Sequence, residues 1–465
     1  MNGVLKIILP ILIVAQLVIG FVWTQHTAWT EMLVYPYLLN NGFVLYQDLI
    51  APYTPIFLWI LQIITSIFGY TPQISLFTTA VLAVINSLII YWIVKKKTNQ
   101  SVVAYLATLF YAGWFFYFEG NGLWFEIFQV HLILLAYYFM DLFLFARSKI
   151  IYFVAACILI SIAFFTKQSA MWLIFGLVGY LLFTKQFKGL KTYLILQLVT
   201  FFLVGIIVLG LCFLMGYGWG FIDWAFGYTF FYFPLSPGHT AYPAVDQLLK
   251  LGIPLLVLAP LIIYLDRRKL LLIAFLGATF MAALPRWGLF HLQPFVAILA
   301  ISSIYFWEYL IKANKITRVA MLFIITIWVV VIVRQEMRFL NLPIRFFEPE
   351  IYKLADQINT QDYWIINGPD QAYVLNQHIP KVKPYVQNFA WYFEYADLQQ
   401  QVIEGIQESC PRVILYSPFS DGQGVGVGQY RPNQLAEYIL NTYDVSSKLE
   451  NNYLLLKPKN ENCHP

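Results

Sequence analysis

Two acidic residues in the polar segment after the first apolar run are the first candidates for chemistry. Glu31 follows that run closely, and Asp48 comes later on the same segment. A carboxylate beside apolar surface can act as a general base or hold a metal ion, because burial raises its pKa toward useful values. Glu31 and Asp48 are therefore candidate catalytic acids, and the alternative is that both are solvated loop residues.

Basic and amide side chains supply the second set of candidates. Lys167 and Gln168 follow an apolar run, and Arg286 and His291 share one short polar segment. Lysine and arginine can hold a phosphate, and histidine can donate to it or relay a proton. The alternative for Lys167 and Arg286 is an anchor whose charged end reaches the membrane interface.

The segment Glu119–Trp124 contains two glycines that permit a tight turn. Glu119 and Asn121 are further site candidates, although the segment can equally be a turn alone. Glu126 and Asp141 lie further into the next apolar run, where an acid is costly unless it faces a cavity.

The composition excludes an ordinary soluble enzyme. The chain is 60% hydrophobic and 11% charged, whereas soluble domains are about 25% charged. The net charge is +5, but the basic residues of the apolar part fall in short loops, so they report membrane topology. We therefore expect no nucleic-acid partner.

A membrane-spanning helix needs roughly 20 mostly apolar residues, and this pattern predicts about eleven spans. The first apolar run lacks a small-residue cleavage site and is interpreted as a retained helix. The predicted spans are residues 4–24, 74–94, 101–118, 124–145, 150–166, 170–184, 192–215, 248–265, 270–285, 295–311 and 317–334.

Alternate loops of this pattern are basic, and the positive-inside rule places them in the cytoplasm. We therefore expect a multi-pass protein of the cytoplasmic membrane with a cytoplasmic N-terminus and an outer C-terminus. All the candidate site residues then lie on the outer face. The basic loops carry Lys95–Lys97, Arg147 with Lys149, Lys185 with Lys188 and Lys191, Arg267–Lys269, and Lys312 with Lys315 and Arg318.

Two outer segments, 25–73 and 216–247, are long, and the first contains a short apolar stretch, Ile56–Phe68, interpreted as an interfacial helix. Polar residues dominate after Arg338. The predicted organisation is a transmembrane domain over 1–338 and an extracytoplasmic α/β domain over 339–465. The latter has helix-like stretches at 349–359, 398–409 and 433–441, and strand-like runs at 363–366, 412–416 and 453–457.

The cysteines and a glycine-rich stretch give weaker signals. Cys157 and Cys212 lie in apolar runs and are expected in the core, whereas Cys410 and Cys463 could pair in an oxidising compartment. The glycine-rich stretch Asp421–Gly428 lacks the spacing of a phosphate-binding loop and is interpreted as a mobile loop.

Four stretches resemble the GT-C superfamily of integral membrane glycosyltransferases, in particular the dolichyl-phosphate-mannose–protein mannosyltransferase-like and RgtA/B/C/D-like proteins. Each motif is weak alone, but their order is fairly specific. They are the first outer segment with Glu31, Asn41-Gly42, Tyr46, Asp48 and Pro55; Gly120-Asn121-Gly122-Leu123-Trp124; Phe165-Thr166-Lys167-Gln168; and Pro285-Arg286 with Phe290-His291-Leu292.

The resemblance implies an all-α, GT-C-like polytopic fold with outer juxtamembrane helices. It implies inverting transfer of a sugar from a polyprenyl-phosphate donor to a lipid, glycan or protein acceptor, outside the cell membrane. Glu31 or Asp48 would be the base, and Lys167, Gln168, Arg286 and His291 would hold the donor phosphate. The family often has an acid where this chain has Thr30, so the base stays open between the two acids, as does any need for a divalent metal.

Two other functions remain as alternatives. A lipid or glycan transporter or flippase would carry charges near the bilayer midplane and often internal repeats. A non-catalytic cell-envelope assembly protein would use its outer domain to bind a partner. Donor turnover by the purified protein would separate the enzyme from both alternatives.

Overall fold

A computed structural model describes the chain except for residues 1, 25, 28, 148, 236–241, 264, 285, 338–348, 359–361, 388–389, 419–431, 450–452 and 460–465. The glycine-rich stretch Asp421–Gly428, Cys463 and the predicted domain boundary at 338 and 339 lie outside the described residues. The fold is mainly α-helical, with a small α/β region near the C-terminus.

The helices follow the apolar runs of the sequence. In chain order they are α1 Asn2–Trp23, α2 Thr30–Asn40, α3 Ile56–Phe68, α4 Pro72–Thr98, α5 Ser101–Tyr117, α6 Phe125–Leu142, α7 Ile150–Thr166, α8 Met171–Phe183, α9 Phe187–Leu214, α10 Gly220–Ile222, α11 Val245–Leu255, α12 Ala259–Ile263, α13 Arg267–Met281, α14 Gln293–Ser302, α15 Ile304–Lys312, α16 Lys315–Met337, α17 Pro349–Ile358, α18 Gln371–Leu375, α19 Leu398–Ser409 and α20 Asn433–Thr442.

Each predicted span coincides with helix over most of its described residues, and the all-α polytopic fold is confirmed. Two spans are interrupted, one by a 3₁₀ turn at Leu256–Leu258 and one at Ser303, which separates α14 from α15. Six helices of the described part are long and apolar enough to cross a membrane, and several shorter apolar helices accompany them. The total of about eleven spans stays a prediction.

The chain forms two compact units. The first joins residues 1–27, 75–207 and 242–346 and contains most of the long apolar helices. The second joins residues 28–74, 208–241 and 347–465, so it combines the greater part of both long inter-helix segments with the polar tail. The division into a membrane domain and an outer domain stays a prediction.

The second unit contains two sheets. The strands are β1 Leu49–Ile50, β2 Tyr363–Ile366, β3 Tyr385–Val386, β4 Val413–Tyr416, β5 Tyr443–Lys448 and β6 Leu454–Pro458. The larger sheet has the order β2-β4-β6-β5, with β2 parallel to β4 and the other pairs antiparallel. The strands β2 and β4 are buried along their whole length, which explains their continuous apolar sequence.

The smaller sheet ties the first inter-helix segment to the tail. Strand β1 pairs in parallel with β3, and Leu49 is opposite Tyr385. Neither strand was expected, because a two-residue strand leaves no alternating pattern in the sequence.

The cysteine expectations are confirmed for Cys157 and Cys212, which are buried free thiols. Cys410 is disulfide-bonded.

Candidate active site

In the first unit, the charged ends of two neighbouring antiparallel helices meet. Glu126 lies in the first turn of α6, and Lys167 caps the C-terminal end of α7. A carboxylate is favoured at a helix N-terminus and a cation at a C-terminus, because the peptide dipoles leave partial charges there. The sequence therefore places opposite charges at the same end of the α6–α7 pair.

Glu126 is the centre of the resulting cluster. Its Oε1 accepts hydrogen bonds from Lys167 Nζ and from His291 Nδ1, the latter at 2.6 Å. The Glu126 side chain is 1% exposed, whereas those of Lys167 and His291 are each 14% exposed. A buried carboxylate requires such donors, since an uncompensated charge in the interior is costly.

The histidine presents one ring nitrogen to this carboxylate. Because the carboxylate only accepts, His291 Nδ1 carries the proton, and Lys167 Nζ lies beside it at 3.3 Å as the second donor. Within the described residues, His291 Nε2 makes no hydrogen bond, and Glu126 Oε2 is buried without one. The cluster therefore retains unused hydrogen-bonding capacity on both its basic and acidic members.

Two glutamines fix the helix ends around the cluster. Gln129 Nε2 donates to the carbonyl oxygens of Ala163 and Lys167, both at 2.9 Å. Gln293 Nε2 donates to the carbonyls of Phe115 at 3.1 Å and of Phe118 at 2.6 Å. Three of these carbonyls also accept from backbone N–H groups, so the amides add second hydrogen bonds that join α6 to the end of α7 and α14 to the end of α5.

The turn between α5 and α6 brings an aromatic ring close to Lys167. A Cβ atom on Gly120 would lie 2.6 Å from the Phe115 carbonyl oxygen, so this close turn requires glycine. Glu119 is exposed at the turn with φ 56°. At the end of the motif, the Trp124 ring centroid lies 5.6 Å from Lys167 Nζ, within cation–π range.

Arg286 and Gln168 complete this group. Arg286 is half-buried and lies within electrostatic range of His291, and Gln168 is buried in the 3₁₀ turn that follows Lys167. The sequence candidates Lys167, Gln168, Arg286 and His291 thus lie in segments that meet around Glu126. The sequence singled out Glu126 as an unusual acid but assigned it no role.

Glu31 belongs to the second unit, in the first turn of α2, where it is 2% exposed. One turn later on the same helix, Tyr35 Oη donates to Gln387 Oε1 at 2.8 Å. Burial raises the pKa of Tyr35 well above its usual value, and nearby negative charges, including that of Glu31, add to the effect. The tail of the chain therefore packs on the helix that carries this acid.

Asp48 is also in the second unit and has structural partners. Its Oδ2 accepts from Lys383 Nζ at 2.8 Å and from the backbone N–H of Val44 at 3.1 Å. The Lys383 ammonium also lies 4.7 Å from the Phe43 ring centroid. These contacts close the turn before β1 and attach it to the tail, which is a sufficient reason for an acid at this position.

His26 is a buried residue whose role no sequence pattern indicates. Its Nδ1 donates to the Asn121 carbonyl at 2.5 Å, and its Nε2 lies 3.3 Å from Ser75 Oγ. Burial lowers the pKa of His26 to about 4, against the opposing effect of the bond to Asn121. The main chain of the candidate Asn121 thus holds a neutral histidine, a role that only side-chain-to-backbone contacts reveal.

The next feature is whether metal-binding side chains come together in the described part of the chain. The part of the chain that the structure describes contains no group of three or more His, Cys, Asp or Glu side chains able to hold a metal ion. Around Glu126, the partners are a lysine ammonium and an imidazole N–H, and both are donors. The donor set described here therefore suits an anion better than a cation.

Comparison with known proteins gives a partial family match from the sequence and a match of the fold from the structure. The family profile described as dolichyl-phosphate-mannose-protein mannosyltransferase matches residues 52–210. The fold resembles ArnT from Cupriavidus metallidurans bound to undecaprenyl phosphate, with a TM-score of 0.62 and 12% identity over 96% of this chain and 97% of that chain. The chain has the GT-C fold.

A second GT-C protein, the archaeal oligosaccharyltransferase AglB from Archaeoglobus fulgidus, is also similar. It was solved with an inhibitory peptide and a dolichol-phosphate, and it matches with a TM-score of 0.51 and 12% identity over 88% of this chain and 69% of that chain. No curated protein matches the chain significantly in sequence. The family profile thus covers less than half of the chain, and the solved structures show its fold.

Proposed function

We propose that this GT-C protein transfers a sugar from a polyprenyl-phosphate donor to a hydroxyl group of a lipid, glycan or protein acceptor. The reaction inverts the anomeric centre and takes place on the outer face of the cytoplasmic membrane. The alternating basic loops support this orientation, because the positive-inside rule predicts that the Lys167 end of α7 lies opposite the cytoplasm.

The observation that carries the proposal is the cationic cluster around Glu126. Lys167 and His291 donate to Glu126, and Arg286 lies within electrostatic range of His291. A lysine, an arginine and a histidine gathered in a half-buried place suit an anionic ligand. A lipid phosphate is such an anion, and the similar ArnT was solved with undecaprenyl phosphate.

In the proposed reaction, a carboxylate takes the proton of the acceptor hydroxyl. The hydroxyl oxygen then forms a bond to the anomeric carbon, and the bond from that carbon to the donor phosphate oxygen breaks. The electron pair leaves with the lipid phosphate, whose added charge Lys167 and Arg286 stabilise. The products are the glycosylated acceptor, the lipid phosphate and a protonated carboxyl group.

Glu31 is the proposed base, and Asp48 is the weaker candidate. Glu31 occupies the position where the resembling enzymes place their essential acid. Asp48, in contrast, already accepts from Lys383 and from the Val44 backbone. Glu126 is proposed as a positioning residue, because it binds Lys167 and His291 through one oxygen and fixes where their charges point.

Binding of undecaprenyl phosphate to the purified full-length protein tests the proposal. Lys167→Met should weaken binding about tenfold or more, since a charge-assisted hydrogen bond to phosphate contributes roughly 1.5–3 kcal/mol. The matched control is Lys250→Met, because Lys250 is also ion-paired but lies in an exposed i,i+4 pair with Asp246. Equal affinity of both variants and the wild type would exclude Lys167 from the donor site.

A further inference from the structure

A second charged cluster lies at the opposite end of α6. Asp141 is near the C-terminal end of this helix, whereas Glu126 is in its first turn. At about 1.5 Å per residue, the two acids are about 22 Å apart along the axis. The Asp141 cluster is therefore separate from the candidate active site and has no part in the proposed transfer.

Three helix ends contribute to this cluster. Asp141 Oδ1 lies 2.9 Å from Lys97 Nζ of α4 and 3.0 Å from Arg268 Nε of α13. Lys97 Nζ also donates to Tyr137 Oη at 2.5 Å. The Asp141 side chain is 3% exposed and that of Lys97 is 10% exposed, so this carboxylate and this ammonium compensate one another in the interior.

Arg268 is the second cation beside Asp141. Its contact with Asp141 lacks hydrogen-bond geometry, and its buried Nε has no hydrogen-bond partner in the described part of the chain. The guanidinium lies over the Phe145 ring, with Cζ 5.3 Å from the ring centroid. The side chain is 40% exposed. The planar group is thus held in place while its donors stay available on the open side.

The surrounding charges are also mostly positive. The sequence places Lys95, Lys96 and Arg267 beside the cluster members, and the neighbouring acid Asp266 is used as the N-cap of α13, accepting from the Lys269 N–H at 2.8 Å. The positive-inside pattern predicts that this end of α6 faces the cytoplasm. The cytoplasmic leaflet is the one that exposes anionic lipids to such basic pockets.

We propose that Arg268 binds the phosphate group of an anionic phospholipid of the cytoplasmic leaflet. The guanidinium donates to two phosphate oxygens, which suits its fork geometry, and Phe145 holds the plane of the group. Asp141 positions Arg268, and Lys97 compensates the charge of Asp141. The site anchors the ends of α4, α6 and α13 to the membrane surface.

Native mass spectrometry of the purified full-length protein with added phosphatidylglycerol tests this site. Arg268→Gln should weaken retention of the lipid about tenfold or more, because it removes a charge-assisted bidentate contact. Arg267→Gln makes the same charge change at the adjacent exposed position and should leave retention within about twofold. Arg268→Lys keeps the charge beside Asp141, so it should fold and still lose part of the affinity.

Three results would overturn the proposal. Equal losses in the two glutamine variants would indicate only a diffuse surface charge. Equal retention of phosphatidylcholine and phosphatidylglycerol by the wild type would show no preference for an anionic headgroup. Displacement of phosphatidylglycerol by millimolar inorganic phosphate would show that the guanidinium prefers free phosphate to the lipid headgroup. Retention that depends on Arg268 and resists inorganic phosphate supports the lipid site.

Discussion

The ion pair between Lys167 and Glu126 should contribute strongly to stability as well as to donor binding. Lys167→Met would leave the Glu126 carboxylate, 1% exposed, with His291 as its remaining donor among the described residues. Breaking a buried pair by removing one partner costs about 3–5 kcal/mol, because a charge stays buried without compensation. Removing both charges should cost less than removing the cation alone.

A double-mutant cycle measures this coupling. The variants Lys167→Met, Glu126→Gln and their combination would be compared by unfolding in mixed micelles of a mild detergent and sodium dodecyl sulfate, followed by circular dichroism. We expect a coupling free energy of about 2–3 kcal/mol, since the amide of the double variant carries no charge to bury.

The exposed pair of Lys250 and Asp246 provides the comparison. Its side chains are 40% and 65% exposed, and the residues are spaced i,i+4. Lys250→Met should therefore change the free energy of unfolding by only about 0.3–0.5 kcal/mol. The reasoning is refuted if the change in the free energy of unfolding of the double variant equals the sum of the changes in the two single variants within about 0.5 kcal/mol.

Three further outcomes are expected. Glu31→Gln should keep donor binding but slow single-turnover transfer by about 10²–10⁴-fold, the usual effect of losing a general base. Asp48→Asn should slow transfer less. If Asp48→Asn is the slower variant, the roles of the two acids are exchanged. Arg286→Ala should weaken undecaprenyl phosphate binding about tenfold or more, with partial rescue by lysine, and unchanged affinity would leave it an interfacial anchor. Because the pKa of His26 falls from 6.5 to about 4 on folding, the folded state binds fewer protons. Stability should therefore decline as the pH drops from about 6.5 toward 4, and His26→Gln should reduce that slope in pH-dependent unfolding.

The long apolar helices could be predicted from the sequence alone. A chain in lipid must satisfy its backbone polar groups within each segment, so an apolar run of sufficient length specifies a helix without reference to the rest of the fold. The runs that became α1, α4 and α16 were recognised for this reason. The strand-like runs predicted at 363–366 and 412–416 correspond to β2 Tyr363–Ile366 and β4 Val413–Tyr416.

The sequence also identified most of the charged residues in or beside the apolar runs, but it could not say which of them contact one another. Glu126 contacts a lysine 41 positions later and a histidine 165 positions later, and Asp48 contacts a lysine 335 positions later. Such pairs depend on how the helices pack and on how the tail folds back, and a local pattern contains neither. The tertiary structure therefore decided that Glu126 compensates Lys167 and that Asp48 closes a turn. The physical reason is that the cost of burying a charge is set by the groups around it, and these come from distant parts of the chain.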